Sequence, residues 1–112
     1  GNRMSYQINF LSEALNDMKR LDNSIRPKVA KGIQKVSQNP ISIYQGGYGK
    51  PLGNKDGTDL TGLFKIKFRG IGIRVVYSIE KRNNVMTIIV VSVRADNQVY
   101  QVASQRRTKH DL

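Results

Sequence analysis

The sequence predicts a single small α+β domain, in which a helical hairpin packs on one face of a mainly antiparallel sheet. Three features lead there: a short alternating segment at the start, two consecutive stretches of helical period, and a succession of alternating segments punctuated by Gly and Asn turns. With 112 residues the chain suits one modest core, so residues 4–112 are assigned to one domain of order β-α-α-β-β-β with a further short element at the end. Gly1-Asn2-Arg3 ahead of Met4 reads as a vector-derived remnant.

Tyr6 to Phe10 alternates Tyr6, Ile8 and Phe10 with Gln7 and Asn9, which predicts a short half-buried strand. From Ser12 the period changes. Leu11, Leu15, Met18 and Leu21 form an apolar stripe, and Glu13, Asp17, Lys19 and Arg20 take the remaining faces, acidic early and basic late as the helix macrodipole favours. Asp22-Asn23-Ser24 supplies oxygens to cap a second helix. In it Ile25, Val29, Ile33 and Val36 recur, and Pro27 sits in the first turn, where its missing N–H costs nothing. That helix ends near Asn39-Pro40, and its outward side is expected to carry Arg26, Lys28, Lys31 and Lys35. Residues 41–62, rich in Gly with Pro51, read as a surface loop in which Lys50 and Lys55 are placed to touch a phosphate backbone.

The remainder predicts a meander. Phe64, Ile66 and Phe68 alternate with Lys65, Lys67 and Arg69, Gly70-Ile71-Gly72 turns the chain, and Ile73 to Ile79 alternates again. After Asn83-Asn84 the nearly continuous apolar run Val85 to Val93 has the character of a central strand covered on both faces, with Arg94 at its exit. Gln98 to Arg107 forms a final helix or an edge strand, which periodicity alone does not separate, and Thr108 to Leu112 is expected to fray.

The composition points to a polyanion. A formal charge of +11 creates a long-range, salt-sensitive field suited to nucleic acid or an acidic protein. Strand parity then locates the charge. An even-length turn around Gly70 places Arg69 opposite Arg74 and Lys67 opposite Val76, so that Phe64, Ile66 and Phe68 share an apolar face with Val75, Tyr77 and Ile79. The other face carries Lys65, Lys67, Arg69 and Arg74. Opposed like charges cost a hairpin roughly the 0.2–1 kcal/mol that a good cross-strand pair contributes. Such a cluster, joined by Arg94, is better explained by binding or catalysis than by stability.

Other chemistries are excluded by what the chain lacks. It has no Cys, one His (His110, in the tail), no acidic pair with metal-ligand spacing, and no Lys-Ser/Thr after Gly70-Ile71-Gly72 that would make a phosphate loop. The longest apolar run is too short for a membrane helix, no export signal is seen, and absence of Cys suits a reducing cytoplasm. What remains is a metal-free, cofactor-free phosphate site of Lys, Arg and Tyr. RNA cleavage by its own 2′-hydroxyl needs a base for that hydroxyl, cations for the pentavalent anion and an acid for the leaving 5′-oxygen. Tyr100 is the candidate base, because Tyr77 points to the apolar face and Tyr6 lies on the first strand.

The residues that carry this chemistry also carry a resemblance. Phe64-Lys-Ile-Lys-Phe-Arg-Gly-Ile-Gly-Ile-Arg-Val-Val-Tyr77, Ser92-Val-Arg94, Val99-Tyr100 and Lys50-Pro51-Leu52 resemble the RelE branch of the RelE/ParE toxin superfamily over nearly all of residues 5–107. This implies a strand, two helices and a three-stranded meander. It also implies catalytic positions at Lys65, Lys67, Arg74, Arg94 and Tyr100, while Arg69, Lys50, Lys55, Lys31 and Lys35 are expected as RNA contacts from their charge and placement. Tyr100 would be general base, Arg74 and Lys67 would stabilise the phosphorane, Arg94 would act as acid or electrostatic support, and Lys65 would position the phosphate and lower the tyrosine pKa. The chain departs from the family in a shorter turn between Val93 and Arg94 and in Ile73, where an aromatic residue often stands. The implied activity is a cytoplasmic toxin that cleaves mRNA in the ribosomal A site, against 16S rRNA, and is neutralised by an acidic antitoxin. The alternatives are a ParE-like inhibitor of DNA gyrase and a non-catalytic RNA- or ribosome-binding module. The latter calls for exposed aromatics among the cations, and Tyr44 and Tyr48 are the candidates for that role.

Overall fold

A computed structural model describes residues 5–55 and 57–112; the proposed remnant at residues 1–3 and Met4 lies outside them. The chain runs β1 (Gln7–Phe10), α1 (Ser12–Arg20), α2 (Arg26–Ser37), a 3₁₀ turn (Ile43–Gln45), β2 (Lys50–Lys55), β3 (Thr58–Phe68), a second 3₁₀ turn (Arg69–Ile71), β4 (Ile73–Glu80), β5 (Val85–Ser92) and α3 (Asp96–Lys109). The five strands form one sheet of order β1-β5-β4-β3-β2, antiparallel except for the parallel pair β1 and β5.

The sheet has one strand more than the sequence reading expected. Half of the supposed loop at 41–62 is the β2–β3 hairpin, and its inward residues are Leu52, Leu60 and Leu63, all buried. Gly53, Gly57 and Gly62 take positive φ (61°, 83° and 87°) and a register shift falls between Pro51 and Gly53, so the alternation is broken by the glycines that permit the bend. The β3–β4 turn has the expected even parity but spans Arg69 to Gly72. Phe68 therefore faces Ile73 and Lys67 faces Arg74, and Arg69 is not opposite Arg74.

Two cores result. On one face α1 and α2 bury Ala14, Met18, Val29, Ile33 and Val36 against Phe64, Ile73, Val75, Tyr77, Met86 and Ile88. Tyr77 stacks on Phe64 at 5.3 Å and donates to the Pro40 carbonyl at 2.9 Å, as a core tyrosine should. On the other face α3 packs Val99, Tyr100 and Ala103 onto Leu52, Leu60, Leu63, Val76, Ile89 and Val90. Coverage on both sides explains the unbroken apolar run of β5. It also decides the ambiguity at 98–107 in favour of a helix, whose buried residues are few and whose stability comes from docking.

Several charged residues differ from their expected places. Leu15 is exposed and Asp17 is buried, so the inward stripe of α1 is Ala14, Asp17 and Met18. Arg26 is not on a solvated face: it donates to the Met18, Lys19 and Leu21 carbonyls and so caps the C-terminus of α1. The Asp22 carboxylate accepts from the Ser24 N–H and hydroxyl rather than capping α2 directly. The tail is not frayed. Leu112 N–H donates to the Arg107 carbonyl, while His110 and Lys109 contact Glu13 at 3.0 and 3.1 Å, holding the Glu13 carboxyl well below its usual range.

Gly32 sets a close approach between α2 and the sheet. A Cβ on Gly32 would lie 2.3 Å from the Phe68 ring, so α2 meets the end of β3 with nothing but hydrogen between them. Gly32→Ala is expected to destabilise the fold by about 1–3 kcal/mol through overpacking, read as a lower midpoint in urea unfolding with an unchanged slope.

Candidate active site

The register of three strands builds the site. Lys67 is opposite Arg74, Arg74 is opposite Ser92, and one row away Lys50 is opposite Lys65, which is opposite Val76. Directly paired residues share a face, so Lys50, Lys65, Lys67 and Arg74 form two rows about 7 Å apart, twice the rise per strand residue. Val76 continues that face into the core under α3. The cations thus stand beside the helix that carries Tyr100, with α1 and α2 on the far side of the sheet.

Tyr100 is 7% exposed. Burial pushes its phenol above the ordinary range and the Asp96 charge adds to the rise, while Lys55 and Arg74 pull it down. The pull of Lys55 and Arg74 is outweighed by burial and Asp96. Lys55 shares the site face, being two residues beyond Gly53, which pairs with the inward Leu60.

Arg74 is held on two sides. One Nη donates to the Arg94 carbonyl at 2.8 Å, and Nε contacts the Asp96 carboxylate. Lys67 Nζ lies 4.0 Å from the other Asp96 oxygen. With Arg69 in the turn between β3 and β4, Lys67 and Arg74 line an open cleft of about 410 Å³. The Arg94 side chain is exposed and lines a different cleft of about 440 Å³ with Asp17, Arg20, Val102 and Arg106. Its carbonyl meets Arg74 at the site. Lys31 and Lys35 stand on α2, which packs on the other face, and Lys35 Nζ sits 5.9 Å from the Tyr48 ring centroid. They do not join the cluster. Among the described residues no group of His, Cys, Asp and Glu side chains is placed to hold a metal ion, and no helix is long and apolar enough to cross a membrane.

No family model matches the chain. A curated relative from Escherichia coli, a putative RelE-like toxin protein, is 32% identical over 92% of this chain and 98% of its own length. The chain belongs to the RelE-like toxin family. The mRNA interferase toxin RelE of Escherichia coli K12 is 26% identical over the same shares of the two chains. Among solved structures, the toxin–antitoxin complex RelBE2 from Mycobacterium tuberculosis is 25% identical, with a TM-score of 0.65 over 85% of this chain and 98% of that one.

In this RelE-like toxin two structural partners were missed by sequence reasoning. Asp96 opens α3 four residues before Tyr100, so both fall on one side of the helix. That signal became readable only once residues 96–109 were known to be helical. Arg106 reaches across to buried Asp17, donating at 2.6 Å, and also donates to the Ile89 carbonyl at 3.0 Å; Asp17 accepts from the Val91 N–H at 3.1 Å. The β1 pairing stops at Ile88. The Asp17–Arg106 pair therefore supplies the β5 edge with the hydrogen bonds that a longer β1 would have given. This clamps α3, and hence Tyr100, to the sheet.

Proposed function

We infer that this RelE-like toxin is an mRNA interferase, the toxin of a type II toxin–antitoxin pair, which acts in the cytoplasm on messenger RNA in the ribosomal A site. The observation that carries this reading is the joint placement of Lys50, Lys65, Lys67 and Arg74 on the face flanked by the Tyr100 helix. An inhibitor of DNA gyrase has no need for a phenol among cations, and the curated relatives are RelE proteins. A module that only stacks RNA bases calls for aromatics among those cations, whereas Tyr48 stands beside Lys35 on the α2 side.

In the proposed reaction the 2′-oxygen bonds to the adjacent phosphorus and the bond from phosphorus to the 5′-oxygen breaks, leaving a cyclic phosphate and a 5′-hydroxyl. Tyr100 takes the 2′-hydroxyl proton. Arg74 and Lys67, paired across β3 and β4, stabilise the charge on the non-bridging oxygens, and Lys65 positions the phosphate from the next row. Arg94, exposed beyond the end of β5, supports the departing oxygen, which takes a proton from solvent water to become the 5′-hydroxyl. Lys50, Lys55 and Arg69 contact the flanking phosphates and the ribosomal RNA. An acidic antitoxin covers the same basic surface, a role assigned by analogy with the complex that RelBE2 names.

Arg74→Ala is expected to lower kcat about 10²–10³-fold, as loss of one oxyanion donor does elsewhere. Single-turnover cleavage on translating ribosomes checks this. A loss confined to binding would remove Arg74 from transition-state stabilisation.

A further inference from the structure

The Lys67–Arg74 pair carries its own counter-anion. Two cations directly opposite on adjacent strands repel, and the Asp96 carboxylate meets both, one oxygen at Arg74 Nε and the other 4.0 Å from Lys67 Nζ. The two atoms in contact, Arg74 Nε and Asp96 Oδ1, are shielded from water and pair as ions without forming a hydrogen bond to each other or to another group. The carboxylate belongs to the first turn of α3, where unpaired backbone N–H groups add positive potential. The other acids whose partners are described, Glu13, Asp17, Asp22, Asp59 and Glu80, bind groups elsewhere. Asp96 is thus a two-oxygen anion seated between the cations that face each other across the site.

We propose that Asp96 is a substrate surrogate: in the free toxin its carboxylate holds the place of an RNA phosphate between Lys67 and Arg74, and RNA is seated by displacing it. The residue then sets selectivity. A weakly held phosphodiester does not expel the carboxylate, whereas RNA presented at high local concentration on a second surface does. It follows that isolated RNA should bind weakly, because the full cationic strength of the site is released only on exchange. This rests on the reading of the site as a phosphodiester site, since the surrogate is defined by the ligand it imitates.

The test is binding without cleavage. A short RNA with 2′-O-methyl riboses throughout cannot undergo 2′-hydroxyl attack, and its affinity is measured against salt for the full chain, Asp96→Asn, Asp96→Ser and Asp111→Asn. Asp111 makes the same charge change at the opposite end of α3, about 20 Å away at 1.5 Å per residue. Both Asp96 variants are expected to bind roughly three- to tenfold tighter at low salt, with a log–log salt slope steeper by about 0.7 for each cation released. Asp111→Asn should differ little from the unmodified chain. Equal affinity and slope in the Asp96 variants overturn the proposal. So does weaker binding, which makes Asp96 a support that orients Arg74. Thermal unfolding verifies that the variants fold. In the unmodified chain the Arg74 Nε–H nuclear magnetic resonance signal should move when the RNA is added, and an unmoved signal also overturns the exchange. Tighter binding by the variants with no cleavage of translated message by the unmodified chain would instead sink the nuclease reading and leave the surrogate standing.

Discussion

Tyr100→Phe is expected to lower the rate of RNA cleavage about 10²–10⁴-fold, the contribution of a positioned general base, while ribosome binding is retained. The ring packs with Val99, Ala103, Leu60 and Val76, so the substitution keeps the core and removes only the hydroxyl. The same residue sets the pH dependence. Burial and Asp96 raise the phenol pKa above its ordinary value near 10, so at neutral pH the base form is scarce and its fraction grows tenfold for each unit of pH. Single-turnover cleavage by the unmodified toxin should therefore rise across pH 6–9 with a slope near one. A pH-independent rate would mean that the phenol acts as a hydrogen-bond donor and that the proton goes elsewhere.

Asp17→Ala is expected to cost about 3–5 kcal/mol of stability, because it strands the Arg106 guanidinium in a largely buried position and leaves the Val91 N–H without its acceptor. For a chain of this size that lowers the melting temperature by roughly 12–20 °C, at about 4 °C per kcal/mol. Arg106→Ala should cost less, since Arg20 still pairs with Asp17 at 2.6 Å. Circular dichroism melts of the two single variants and the double variant measure the coupling directly. Additive costs would show that the pair does not act as one clamp. Because the clamp holds α3 against β5, cleavage should fall with stability in these variants more steeply than in Gly32→Ala, which disturbs the opposite face.

The parts of the fold legible in the sequence are those where burial and period coincide. β5 buries Met86 and Ile88 to Val91, with Val93 beyond the strand and exposed; β3 and β4 bury Phe64, Ile73, Val75 and Tyr77 and half-bury Ile66, Phe68 and Ile79; and α2 buries Val29, Ile33 and Val36. The hairpin of β2 was hidden because Gly53, Gly57 and Gly62, which let the backbone take positive φ, also interrupt the pattern that announces a strand. The burial of Asp17 was hidden for another reason. An acid at helical spacing reads as solvent-facing, and its partner Arg106 is 89 residues away in the chain. The cationic face follows from strand parity alone, and parity survives a register error of two; that is why Lys65, Lys67 and Arg74 gather as expected although Arg69 is displaced into the turn. Asp96 and Lys55 depend on where α3 and the β2 hairpin dock, which no local pattern encodes.

The central claim is that Tyr100, set among the cations of β2, β3 and β4, performs RNA cleavage on the ribosome. Primer extension on a translated message, with the unmodified toxin and with Tyr100→Phe, tests it most directly. The expected result is a set of cuts inside A-site codons that appear with the unmodified chain and disappear with the variant. Cuts of equal strength with both proteins, or none with either under conditions where the toxin binds ribosomes, would contradict it.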